Sequence, residues 1–134
     1  MSLIVDASVA AKWFAAEGSS NRARALFATG EPLIAPDLIL AEVANVLWKK
    51  LRTGLLIPDQ VIAAALQLPK YFERLVPIGE LLKRATELTI RLDHPVYDCF
   101  YLALAERERL PLVSADKRLL ALLHRHRVVE ARPL

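Results

Sequence analysis

Residues 33–52, LIAPDLILAEVANVLWKKLR, set an apolar run of strand length, Leu33-Ile34-Ala35, directly against a helix-length segment from Pro36 to Arg52. The segment opens on Pro36-Asp37, ends on Lys49, Lys50 and Arg52, where cations suit the helix dipole, and stops at Gly54. A strand handed straight to a helix is the repeating unit of an α/β protein, and the same pairing recurs outward in both directions. Apolar runs occur at Leu3-Ile4-Val5, Leu75-Val76 and Leu112-Val113, with a fifth at Val128-Val129. Helix-length segments lie between them: Ser8 to Ala16, Ser20 to Ala28, Pro58 to Lys70, Gly79 to Leu92, Val96 to Arg109 and Asp116 to His126. Strands alternating with helices imply right-handed crossovers and a mostly parallel sheet of four or five strands, covered on both faces in a three-layer α/β/α fold.

With 134 residues, 54% of them hydrophobic, the chain has the size of one domain spanning 1–134 with a core of its own. No stretch approaches the roughly 20 uncharged apolar residues of a membrane span. Asp6 and Lys12 interrupt the apolar N-terminus, which lacks the build of a signal peptide. The expectation is a soluble cytoplasmic protein. Cys99 stands alone, so neither an internal disulfide nor a cysteine-based zinc site can form.

Chemistry is sought first outside the carboxyl ends of the strands, where open parallel sheets form their crevice. Asp6 directly follows Leu3-Ile4-Val5, and Asp116 follows Leu112-Val113-Ser114-Ala115. The plain alternative for both is a helix cap, since a helix follows each. Glu42 and Asp98 are harder to explain that way. On a helical wheel Leu38 and Val46 flank Glu42 and Ile39 lies close, while Tyr101, Leu102 and Ala105 share the face of Asp98. Carboxylates in apolar stripes are costly without a partner, and no lysine or arginine stands three or four residues from Asp98. Something cationic is expected between them. Asp37 and Asp59 read as ordinary first-turn acids, and Glu17, Glu31, Glu73, Glu87, Glu106, Glu108 and Glu130 as solvated groups; Asp93 lies near enough to Asp98 to reach the rim of a site.

Four carboxylates without cysteine favour a hard cation, Mg²⁺ or Mn²⁺, over zinc. His94 precedes a proline in a turn, and His124 and His126 sit in the basic last helix, so none reads as a ligand. Divalent ions held by carboxylates suit phosphodiester hydrolysis, where they lower the pKa of an attacking water and stabilise the leaving oxygen. The balance of 18 basic and 15 acidic groups points mildly to a polyanion. Setting the four inward acids aside leaves 18 basic against 11 acidic groups outside, which suits a phosphate backbone. Lys49 and Arg52 on one helix, and Lys117, Arg118 and Arg125 on the last, are the groups placed to meet such a backbone, with a solvated helix end as the plain alternative for Lys49.

These residues resemble a family, the PIN domain, and within it the VapC-type toxins of prokaryotic toxin–antitoxin pairs. The resemblance is carried by Ile4-Val5-Asp6-Ala7-Ser8, by Ala35-Pro36-Asp37-Leu38 leading to Glu42-Val43-Ala44-Asn45-Val46-Leu47, by Tyr97-Asp98-Cys99-Phe100-Tyr101-Leu102-Ala103-Leu104-Ala105, and by Val113-Ser114-Ala115-Asp116-Lys117-Arg118-Leu119. It implies that Asp6, Glu42, Asp98 and Asp116 are the acidic metal ligands, with Ser8 as a supporting hydroxyl. Cys99 replaces the small residue, frequently alanine, that commonly follows the third acid. The implied activity is that of a metal-dependent endoribonuclease, silenced by a cognate antitoxin and forming a homodimer. Two other readings stay open at this level: a PIN nuclease of RNA processing without an antitoxin, and a non-catalytic α/β signalling or binding module. A phospho-acceptor receiver needs paired acids after its first strand, whereas Asp6 stands alone.

Overall fold

A computed structural model describes residues 1–16 and 18–134, so Glu17, read above as a solvated acid, lies outside the described residues. Five strands, β1 (Leu3–Val5), β2 (Leu33–Pro36), β3 (Arg74–Val76), β4 (Leu112–Ser114) and β5 (Ala131–Pro133), form one sheet in the order β3-β2-β1-β4-β5. Every pairing is parallel, with Ile4 opposite Ile34 on one side and Leu112 on the other. The chain runs outward from β1 through β2 to β3, then returns past β1 to β4 and β5. Right-handed crossovers therefore send the first connections over one face and the later ones over the other, giving three layers. The reversal falls between β1 and β4, where such sheets open a crevice beyond their carboxyl ends.

Seven α-helices connect the described strands: α1 (Ala7–Ala10), α2 (Ser20–Ala25), α3 (Leu38–Arg52), α4 (Pro58–Gln67), α5 (Ile78–Leu92), α6 (Val96–Glu108) and α7 (Lys117–His126). Helix α6 buries Cys99 through Ala105 without a break and packs on β1, β2, β4 and α5. Side chains apolar around the whole circumference require such an interior position. By contrast α5 and α7 bury one stripe each, Leu81-Ala85-Leu88-Leu92 and Leu119-Leu122-Leu123. No helix among the described residues is long and apolar enough to cross a membrane.

Three boundaries differ from the sequence reading. The fifth strand lies at Ala131–Pro133 rather than Val128-Val129. The two valines pack half-buried against the core, while β5, paired only with β4, is an edge strand in which Arg132 and Pro133 are tolerated. The first helix ends early, a single α-turn followed by a 3₁₀ turn over Ala11–Trp13. Pro36 closes β2 opposite Val76 rather than opening α3. Asp37 is correspondingly no plain first-turn acid: its Oδ1 accepts from Ile78 N at 3.1 Å and clasps the start of α5 to the β2–α3 turn.

Candidate active site

Asp6 leaves the end of β1 in extended conformation and caps α1, its Oδ1 accepting from Val9 N at 3.2 Å. The cap and the site are the same residue, so the two readings of Asp6 were not alternatives. Ser8 Oγ donates to Oδ1 at 2.5 Å, and Ser114 Oγ, from the end of β4, donates to Oδ2 in a short bond. Only 4% of Asp6 is exposed. Burial pushes its carboxyl up to about 6, against the lowering pull of both serines and the Val9 amide, with a further rise from the charge of Asp98. The serines are themselves braced, since Ala115 N donates to Ser8 Oγ and Asp116 N to Ser114 Oγ, each at 3.0 Å.

Glu42 lies in the second turn of α3 and is half-buried rather than enclosed, because its stripe ends at a cavity. Tyr101 of α6, 1% exposed, donates its hydroxyl to Oε1 at 2.6 Å. Burial raises the Glu42 pKa, and the charges of Asp98 and Asp6 add to the rise, while the Tyr101 bond lowers it. The Tyr101 hydroxyl itself is held well above its usual range by burial and by Glu42.

Asp98, in the first turn of α6, has His94 as its basic neighbour. His94 Nε2 lies 2.6 Å from Asp98 Oδ2, and a carboxylate only accepts, so that ring nitrogen carries the hydrogen. His94 is 7% exposed and therefore no plain turn residue. Asp116 caps α7, its Oδ1 accepting from Arg118 N at 2.9 Å and Leu119 N at 3.2 Å. Asp93 instead ends α5 with φ 49° and is absent from the walls of the site.

All four sequence-selected acids line one cavity of about 380 Å³, with Ser8, Lys12, Asn45 and Tyr101 among the other wall residues. Hydroxyls, three backbone amides and one imidazole hold the carboxylates. Oxygen donors of this kind suit a hard divalent cation, and the only thiol, Cys99, is buried with its pKa raised by that burial. Among the described residues no three Asp, Glu, His or Cys side chains close to a common ligand spacing.

The basic groups picked from the sequence are not drawn into this cavity. Arg118 and Arg125 are exposed on one face of α7, and Lys49 and Arg52 line a separate shallow depression at the end of α3. Sequence reasoning missed His94 and Ser114 as neighbours of the acids, and placed Tyr101 beside Asp98 without its bond to Glu42. A signal existed for each: His94 stands four residues before Asp98, Tyr101 three after it, and Ser114 ends an otherwise apolar strand.

The family model for the PIN domain matches residues 3–123. Ribonuclease VapC3 of Pyrobaculum aerophilum is 36% identical over 121 residues, covering 89% of this chain and 92% of that protein. Among solved structures, VapC20 of Mycobacterium tuberculosis, described as a sarcin-ricin loop cleaving toxin, superposes with TM-score 0.71 at 20% identity, over 90% of this chain and 94% of its own. FitAcB of Neisseria gonorrhoeae gives 0.64 at 13% identity, over 96% and 95%. At these identities the two structures speak for the fold, an all-parallel five-stranded sheet flanked by helices.

Proposed function

Because the chain belongs to the PIN domain family, we propose that it is an Mg²⁺- or Mn²⁺-dependent endoribonuclease that hydrolyses RNA phosphodiester bonds as the toxin of a toxin–antitoxin pair. The observation that carries this reading is the meeting of Asp6, Glu42, Asp98 and Asp116 in one cavity at the β1–β4 crevice. A relative called a ribonuclease, alike over nearly the whole of both chains, supports the substrate class. Partners on this reading are the RNA, a cognate antitoxin and a second copy of the chain, and the compartment is the cytoplasm.

Carboxylates from this set would supply the ligands of a divalent ion, which when bound supplies an attacking water of lowered pKa and a counter-charge for the leaving oxygen. The remaining work belongs to the chain. Ser8 and Ser114 fix both oxygens of Asp6 and keep the group from turning in its buried slot. Tyr101 pins one oxygen of Glu42, and His94 pins one of Asp98, which leaves Oε2 and Oδ1 uncommitted by those bonds. The cap bonds of Asp116 likewise use a single oxygen, Oδ1. Preset ligands of this kind spare the reorganisation that mobile carboxylates would cost.

Incubation of the purified chain with RNA tests the reading directly. Cleavage is expected with Mg²⁺ or Mn²⁺, to vanish in excess EDTA, and to fall by at least about a hundredfold in Asp6→Asn, a loss in line with several kcal/mol of metal assistance. Cleavage by wild type that persists in excess chelator, with contaminating nuclease excluded by repurification, would overturn it. Sequencing of RNA ends after brief expression of wild type beside Asp6→Asn then identifies the RNA.

A further inference from the structure

A second cavity adjoins the first and carries the opposite charge. It encloses about 430 Å³, and Lys12, Arg22 and Lys117 stand in its wall beside Ser19, Leu120 and Pro133. No Asp or Glu side chain is among its described lining residues. Lys12 lines both cavities, and the β4–α7 turn divides them: Asp116 faces one, and the next residue, Lys117, the other.

The cations come from separate parts of the chain, Arg22 from α2 and Lys117 from α7, so the fold gathers them. Arg118 and Arg125, by contrast, line neither cavity, and Lys49 and Arg52 form their own depression. A polyanion with one phosphate over four carboxylates must carry its neighbouring phosphate out of that negative field. Local cations at a contiguous site lower its energy there, and Leu120 and Pro133 offer an apolar wall for a sugar or base.

Resting on the ribonuclease reading, we propose that this cavity is a nucleotide subsite for single-stranded RNA, in which Arg22 and Lys117 take the phosphate adjoining the one cleaved. These residues contact the strand and not the reacting bond, so they should act on binding rather than on chemistry.

The test uses a short single-stranded oligoribonucleotide, titrated at several salt concentrations in chelator and cleaved in Mg²⁺. Arg22→Ala with Lys117→Ala is compared with Lys83→Ala and Arg91→Ala, which remove equal charge from α5 and line neither cavity. All four side chains are on exposed residues, so folding should survive. The first pair is expected to raise KM at least about tenfold with kcat within about twofold, and to reduce the log–log salt slope by about 1.4, the share of two phosphate contacts on a single strand. The control pair should match wild type. A first pair indistinguishable from the control overturns the subsite, even where cleavage persists and supports the ribonuclease. Wild type that binds with the Arg22- and Lys117-dependent slope yet never cleaves keeps the subsite and removes the ribonuclease. Wild type that neither binds nor cleaves removes both.

Discussion

Asp6 caps a helix and lines the cavity with one side chain, and its burial gives it a measurable signature. Its carboxyl titrates near 3.8 unfolded and near 6 folded. Below both values the group is neutral in either state; between them the folded chain keeps a proton that the unfolded chain releases. The folded state then binds more protons, so stability falls as pH rises across this window and levels off above it. For a group only 4% exposed the cost is on the order of 3 kcal/mol. Glu42, raised by burial, acts in the same direction, whereas Glu106 and Glu108, lowered by Arg84 and Arg74, contribute in the opposite sense at lower pH. Thermal melts in chelator should therefore show wild type losing stability between about pH 4 and 6, and Asp6→Asn losing much less. Parallel curves would mean that Asp6 is not held protonated by its site. His94 makes a second prediction at this scale. Supporting partners of metal ligands typically control about 10–100-fold in affinity or activity, so His94→Leu should lower Mn²⁺ affinity by that factor, as read by calorimetry. An unchanged affinity would reduce His94 to a packing residue. The four acids were legible because carboxylates at strand ends and in apolar stripes are anomalies; His94 was not, because Pro95 separates it from the helix on which its i, i+4 relation to Asp98 is measured.

Elements were legible where burial is one-sided and less so where it is not. The stripes of α5 and α7 declare themselves by periodicity, and the parallel alternation of β1 to β4 follows from apolar runs with helix-length segments between them. Strand β5 escaped because an edge strand with one partner need not be apolar, and the nearby valines pack on the core without pairing. Helix α6 gives the reverse lesson: apolar on all sides, it carries no amphipathic signal, so Tyr101 reads as core although its hydroxyl serves Glu42. A prediction follows for that hydroxyl. Its bond lowers the Glu42 pKa, so Tyr101→Phe should raise that pKa and move the acid limb of the pH–rate profile to higher pH, with cleavage reduced by roughly tenfold at neutral pH. A profile with an unmoved acid limb would separate Glu42 ionisation from the rate.

At the scale of the whole molecule, the question is what the sheet cannot cover. The chain has more apolar side chains on its short early helices than five short strands and a central α6 can bury, and the structure divides them. Trp13 and Leu68 complete the core, with Trp13 held by aromatic contacts to Phe27, Tyr71 and Phe72. Ile62 and Leu66, four residues apart on α4, remain 59% and 70% exposed, with Leu55 and Ile57 exposed just before that helix. A stripe of this kind adds little to the monomer and gains free energy only when another surface covers it, at roughly 25 cal/mol per Å² of apolar area. On the proposed function the second surface is another copy of the chain or the antitoxin. Ile62→Ser with Leu66→Ser should therefore leave the melting of the dilute chain within about 0.5 kcal/mol of wild type while shifting its solution mass toward the monomer at concentrations where wild type dimerises. Amide exchange over residues 58–67, measured with and without the recombinant product of a cognate antitoxin gene, separates the two partners. A wild-type chain that stays monomeric at every concentration, and whose α4 gains no protection from that product, would show that the stripe is tolerated exposure and that the interface lies on another face.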